Sequence, residues 1–237
     1  MAPMEIEFKK KLKEIEKKGF VKSLRKSDTG IGYTLELMLG VDENNLQDPD
    51  FVYEGGAIEL KTQRKHATSN ITLFTKEPHW EPCKDIDLIN QYGYTDANGR
   101  FGLKVTLTTR GFNPQGLKVE VTDDRLNIVH TNDGVVCFYK IDELMEKLRQ
   151  KLSYRLLIVL ADSELRKDGE YFHYDKAYLL SGLSEQGFKD LVNEGKLVVE
   201  FRMHLKASGS ARNHGTGFRL NERYLMKLYQ NKELIMD

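Results

Sequence analysis

At 237 residues, with 40% hydrophobic and 30% charged side chains, the chain has ample apolar material for a core and fits one domain or one domain in two lobes. Lys and Arg total 36 and Asp and Glu total 36, a balance that argues against a uniformly basic nucleic-acid coat and still allows a local basic cleft. The two cysteines, Cys83 and Cys137, form no CxxC pair, which argues against a disulfide framework or a structural zinc site and suits reduced thiols.

The chain begins Met1-Ala2-Pro3-Met4-Glu5 and turns charged at once, so no secretory signal is expected, and no apolar run is long enough for a membrane span. A cytoplasmic protein is the expectation. Residues 4–19 carry Ile6, Leu12 and Ile15 at helical spacing, and Gly19 is a natural stop. The lysines of this segment read as a solvated face. Residues 28–40, DTGIGYTLELMLG, predict a second helix with Asp28 or Thr29 as cap and Gly40 as terminator. Its GIG lacks a full phosphate-loop pattern.

DPDFVYEGGAIELKTQ predicts a hairpin: Asp50 to Tyr53 extended, Glu54-Gly55-Gly56 turning, Ala57 to Thr62 extended. A strand over residues 70–76 and a helix near 85–91 follow. GLKVTLTT, GLKVEVT, RLNIVH and VVCFYK predict strands between Phe101 and Lys140, with Asp123-Asp124 and Asn132-Asp133-Gly134 as turns. Residues 141–152 read as a helix, and YRLLIVLADSE from Tyr154 reads as a buried central strand. A helix over 184–194, an alternating strand from Lys196, a Gly/Ser-rich loop, FRLN and a final helix complete the chain. His79, Trp80 and Tyr92 read as packing aromatics rather than base-stacking ones.

Chemistry concentrates at Asp50 and at Glu59-Leu60-Lys61. Residues two apart on a strand share a face, so Glu59 and Lys61 point the same way. Hairpin pairing can bring Asp50 across from them. Two carboxylates and the Leu60 carbonyl suit a hard cation such as Mg²⁺. Such a cation offsets the charge that builds up in phosphodiester hydrolysis, and Lys61 can sit beside the scissile phosphate. Asp48 can replace Asp50 in this scheme, and Glu54 can act as an outer ligand. The motif resembles that of the PD-(D/E)xK nucleases. By itself it is short enough that solvated charges on a hairpin would give the same letters.

Its setting is more specific. TGIGYTLE, ENNLQDPDF, IELKT, SNITLFTK, YFHYDKAYLL and NHGTGFRLN, in that order, resemble the MvaI/BcnI family of restriction endonucleases. The resemblance implies an α/β (α+β) MutH-like restriction-endonuclease fold with a mixed central sheet and two lobes around a DNA-binding cleft. We expect one nuclease domain over 1–237, with a catalytic lobe near 1–165 and a recognition lobe near 166–237. The resemblance adds Glu36 to the catalytic set, four residues after Gly32. The stretch between Asp50 and Glu59 is longer than in some relatives, which bears on Asp50 alone.

Recognition needs side chains that reach base edges, and arginine pairs bidentately with guanine. Glu200 and Arg202 alternate on one strand and Arg219 lies on the returning strand, where the resemblance puts base-contacting residues. His214 lies in the loop between. Thr75 and Lys76 fall where the family approaches the middle of its site, and Thr at position 75 goes with the branch cutting CC(A/T)GG. Lys65 and His66 are further candidate phosphate contacts. RNHGTGFRLN lacks the context of an HNH nuclease. The combined expectation is a type II restriction endonuclease acting with Mg²⁺ on double-stranded DNA at a CCNGG-like site. It is expected to be a monomer that nicks each strand in turn, with a cognate methyltransferase in the same cell as an unbound counterpart. The alternatives are a MutH-like repair nickase controlled by a partner and a non-catalytic DNA-binding module.

Overall fold

The computed structural model describes residues 2–40, 51–53, 56–152 and 155–237. The first elements are α1 (Ala2–Glu16), β1 (Val21–Lys22), α2 (Gly30–Leu39), β2 (Phe51–Tyr53), β3 (Gly56–Arg64) and β4 (Asn70–Thr75). They are followed by α3 (Asp85–Tyr92), β5 (Tyr94–Thr95), β6 (Phe101–Leu107), β7 (Leu117–Val121), β8 (Arg125–His130) and β9 (Gly134–Lys140). Next come α4 (Ile141–Lys151), β10 (Arg155–Arg166), β11 (Gly169–Leu183), α5 (Glu185–Asn193) and β12 (Leu197–Leu205). The last are β13 (Ala211–Asn213), β14 (Gly217–Asn221), a 3-10 helix (Glu222–Leu228) and β15 (Tyr229–Met236). No helix among the described residues is long and apolar enough to cross a membrane.

The chain forms two compact units. One joins Met1–Thr68, Leu152–Leu183 and Tyr229–Asp237; the other joins Ser69–Lys151 and Ser184–Leu228. Each unit therefore draws on separated stretches, whereas the expected lobes are contiguous blocks. The cause lies in the ladders: β10 and β11 pair back onto β3 and β1, and β12 and β14 pair back onto β6 and β4.

The first unit holds a mixed sheet in the order β1-β11-β10-β3-β2, with β15 on the remaining length of β11's edge. β3 and β10 run parallel, Glu59 opposite Leu156 and Lys61 opposite Ile158. The other pairs are antiparallel. An apolar run such as RLLIVLA belongs in an interior strand, and β10 is one, flanked by β11 and β3. One face of this sheet presents Ile58, Leu60, Leu157, Val159, Phe172 and Tyr174 to the apolar stripes of α1 and α2, including Leu12, Ile15, Ile31 and Leu35. Tyr174 donates its hydroxyl to the Ile31 carbonyl at 2.7 Å, which ties α2 to the sheet. α2 ends where expected: Gly40 adopts φ 76°, and its N–H returns to the carbonyls of Glu36 and Leu37.

The second unit holds a sheet in the order β4-β14-β12-β6-β5, with β13 also on β12, and a separate β7-β8-β9 meander. Alternation along β12 buries Leu197, Val199, Phe201 and Met203, against which α3 and α5 pack. Ser184 caps α5 by accepting from the Gly187 N–H at 2.9 Å. His79 stacks on Phe138, Trp80 lies against Phe201 and Tyr92 against His130, so these aromatics pack as expected.

The larger departures from expectation are at the C-terminus and at β11. The final helix is replaced by the short 3-10 helix and then β15, antiparallel to β11. β11 itself, 15 residues long, has no counterpart among the expected strands. The long edge of β11 leaves backbone groups to be paired, and that ladder outweighs the modest helix propensity of Lys, Glu and Leu near the C-terminus. Leu35→Ala is expected to lower unfolding free energy by about 3 kcal/mol through the cavity it leaves. Tyr174→Phe should cost about 1 kcal/mol for one hydrogen bond. Chemical denaturation of the two variants checks the order and the size.

Candidate active site and nucleic-acid interface

In the first unit, β3 carries the expected pair Glu59 and Lys61. Ile58 and Leu60 are fixed in the core, 3% and 6% exposed, so the alternating pair Glu59 and Lys61 stands on the other face. Their side chains are 33% and 35% exposed, and the Lys61 ammonium donates to Glu59 Oε1 at 3.1 Å. The hairpin with β2 forms with Phe51 opposite Ile58 and Tyr53 opposite Gly56. Asp50, like the alternatives Asp48 and Glu54, lies outside the described residues. In sequence Asp50 and Glu59 flank the last described pair of this ladder. The Leu60 side chain is core, and its backbone is a rung of the β3–β10 ladder opposite Leu157.

Glu36 sits on α2 near the helix-covered side of β3. A Cβ at position 32 would stand 3.6 Å from Glu36 Oε1 and 3.4 Å from Thr62 Oγ1. Thr62 alternates with Lys61 and so belongs to the opposite face of the strand. Glu36 also bears on Tyr174: burial pushes that hydroxyl's pKa up and the Glu36 charge adds to the rise. Near Glu59 stands Tyr229, a neighbour that no local sequence signal announces. Burial raises its hydroxyl's pKa, and Glu59 adds to it.

A second titratable cluster also escapes sequence reasoning. Asp162, His173 and Asp175 bring one donor atom each within 4.8 Å of one another, a group that could hold a metal. Asp162 and His173 are cross-strand partners, a relation visible only once β10 and β11 are paired. Lys65 occupies the same space, donating to Asp162 at 2.8 Å and Asp175 at 2.5 Å. Burial alone would lower the pKa of this ammonium, but the two carboxylate bonds raise it above its ordinary value. A cation entering here would have to displace a bound lysine. Lys65 is thus engaged by carboxylates in this structure, where the sequence suggests a phosphate contact.

In the second unit, the ladders align polar side chains on one face of the sheet. Thr106, Glu200, Gly217 and Thr75 form one row across β6, β12, β14 and β4. Lys104 is opposite Arg202 in the next row of β6 and β12. Glu200, Arg202 and Arg219 come together as expected from their strand positions. Arg219 donates to Glu200 Oε1 at 2.9 Å and to the Asn70 carbonyl at 3.0 Å. Arg202 reaches the Gly215 carbonyl at 3.5 Å, a long bond. The Nε atoms of both arginines are buried without an acceptor. At position 217 a Cβ would stand 3.6 Å from Arg202 Nη2, in ordinary contact, so Gly217 lies directly beside this guanidinium. Thr106 and Lys104 are additions by the structure, because their place beside Glu200 and Arg202 depends on a ladder between strands far apart in sequence.

His214 follows β13; its N–H donates to the Arg202 carbonyl at 3.1 Å and its ring stacks on His204. Thr75 is exposed at the end of β4. The Lys76 ammonium is held by Glu143 at 2.7 Å, and His79 meets the same carboxylate at 3.1 Å. The bond from Lys76 holds the Glu143 carboxyl below its usual range. The segment is also clamped by its backbone, Lys76 N–H to the Thr216 carbonyl, and by Asn213 donating to Glu77 at 2.7 Å.

Residues 9–229 match the MvaI/BcnI restriction endonuclease family. Among solved structures, the complex of the restriction endonuclease MvaI with cognate DNA is 27% identical with a TM-score of 0.65, and 100% of each chain is covered. The same endonuclease in the absence of DNA is 28% identical with a TM-score of 0.67, over 97% of this chain and 96% of that one. Among curated proteins none matches. The chain belongs to the MvaI/BcnI family of restriction endonucleases and is a type II restriction enzyme.

Proposed function

We propose that the chain cleaves double-stranded DNA at a CCNGG-like site, with CC(A/T)GG preferred, using Mg²⁺ and acting as a monomer that nicks each strand in turn. The observation that carries this reading is the Glu59–Lys61 pair, set on one face of a strand whose other face is sealed in the core. A hard divalent cation takes oxygen ligands, and Glu59 supplies one on an accessible face. Asp50 and the Leu60 carbonyl complete the ligand set in this reading, and Glu36 assists. The cation supplies positive charge against the developing charge on the scissile phosphate. Lys61 lies beside Glu59, so its ammonium can donate to a phosphate oxygen and orient the attack. Glu59 holds that ammonium in place. A cytoplasmic location and a cognate methyltransferase in the same cell complete the proposal.

For recognition, Arg202 and Arg219 take guanines in the major groove and Glu200 accepts from a cytosine amino group. His214, Thr75 and Lys76 assist on the same unit. Thr75 shares a row with Glu200, which supports a place near the centre of the site.

Lys61→Ala is expected to slow single-turnover cleavage of a CCAGG duplex about 10³-fold, the size of one lost charge-stabilising donor. Duplex affinity without divalent metal should change little beside that, as read by fluorescence anisotropy. Arg219→Ala is expected to lose about 1–3 kcal/mol of discrimination between CCAGG and a duplex with one guanine replaced. Digestion of a mapped plasmid with end sequencing reads the site directly. Folded protein that cuts neither CCAGG nor CCCGG with Mg²⁺ would remove the specific reading.

A further inference from the structure

Beside the Glu200–Arg202–Arg219 face lies a corner whose charge, His214 apart, the recognition scheme does not use. Tyr94, Gly102, His204 and Arg212 form one row across β5, β6, β12 and β13. In the adjoining row Lys104 is opposite Arg202. The His204 and His214 rings stack at 5.2 Å with 24° between their planes. His204 is the cross-strand partner of Arg212, so the stack sets the His214 ring beside the same corner. Arg100 stands just before β6, 55% exposed. The acid facing this corner is Asp96, which holds Lys104 at 2.7 Å and Arg100 at 3.7 Å. Glu200 is already engaged with Arg219.

We propose that Arg100, Lys104, His204, Arg212 and His214 form a binding site for the DNA phosphate backbone flanking the recognition sequence, with a proton taken up at His204 when a phosphate seats. The inference rests on the reading that the Glu200–Arg202–Arg219 face meets DNA. Four cationic or protonatable side chains beside one imidazole make an unfavourable place for a further positive charge and a favourable one for an anion. In the free protein His204 is held below its ordinary pKa, by burial first, then by His214, Arg100, Arg212 and Lys104. A phosphate reverses that field and raises the pKa in the complex. The complex therefore binds more protons than the free protein in the window between the two values. Affinity rises as pH falls through that window and levels off below it. Because phosphates carry no sequence, the effect belongs equally to cognate and scrambled duplexes.

The test is anisotropy of a labelled duplex binding the full chain in EDTA, from pH 5.5 to 8.5 and at several salt concentrations. Wild type should bind both cognate and scrambled duplexes about fivefold more tightly at the acid end, within the tenfold per pH unit that one proton allows. The double variant His204→Gln/His214→Gln should lose that dependence while melting like wild type. Arg212→Gln should reduce the slope of log K against log salt by about 0.9 for each phosphate no longer neutralised. Retained pH dependence in the double variant, or an unchanged salt slope in Arg212→Gln, overturns the proposal. The parent reading is checked separately: if Arg219→Ala discriminates cognate from scrambled duplex as wild type does, the reading face itself is misplaced.

Discussion

Ile58 and Leu60 are locked into the core beneath α1 and α2, and this forces Glu59 and Lys61 together on the other face of β3. A strand has a side-chain period of two, so a one-residue slip would exchange both aliphatics for both charges. Each buried aliphatic is worth about 1.5–3 kcal/mol, and two unpaired charges in their place would add a larger penalty. The register of the proposed catalytic pair is therefore set by apolar packing. The parallel ladder to β10, itself an interior strand, fixes where along the sheet that pair stands.

The second unit uses the same device for the proposed recognition face. Val199, Phe201 and Met203 anchor β12 in the core, and Glu200, Arg202 and His204 are turned together to the opposite face. Cross-strand pairing then spreads polar side chains sideways, Thr106 and Lys104 from β6, Arg219 from β14 and Thr75 from β4. One unit supplies a carboxylate and an ammonium on a single strand, and the other supplies a polar surface several strands wide. That contrast suits hydrolysis at one phosphate and contact with a run of bases.

What is local in the chain is legible in the sequence. Alternation names Glu59 and Lys61 as neighbours on one face, Gly40 marks the end of α2, and the apolar run after Tyr154 marks an interior strand. Resemblance to a family, not spacing, brings in Glu36 and the roles of Glu200, Arg202 and Arg219. What depends on pairing between distant strands stays hidden. The Lys65 bridge between Asp162 and Asp175, the approach of Tyr229 to Glu59, and the place of Thr106 beside Glu200 each require a ladder to be known first. β15 reads as helix in the sequence because its residues are tolerable in either form, and the open edge of β11 decides between them.

Two groups in the first unit can be weighed as the seat of a catalytic cation: Glu59 with its neighbours, and Asp162 with His173 and Asp175. In the second group Lys65 already bridges the two carboxylates, so a cation there competes with an ammonium. The most direct measurement is the Mg²⁺ dependence of single-turnover cleavage for Glu59→Gln and for Asp162→Asn, with folding checked by circular dichroism. Glu59→Gln is expected to abolish cleavage at every Mg²⁺ concentration, while Asp162→Asn keeps the Mg²⁺ midpoint of the wild type. A folded Glu59→Gln enzyme that cuts normally, or an Asp162→Asn enzyme whose Mg²⁺ midpoint shifts strongly, would contradict the assignment of the cation to Glu59.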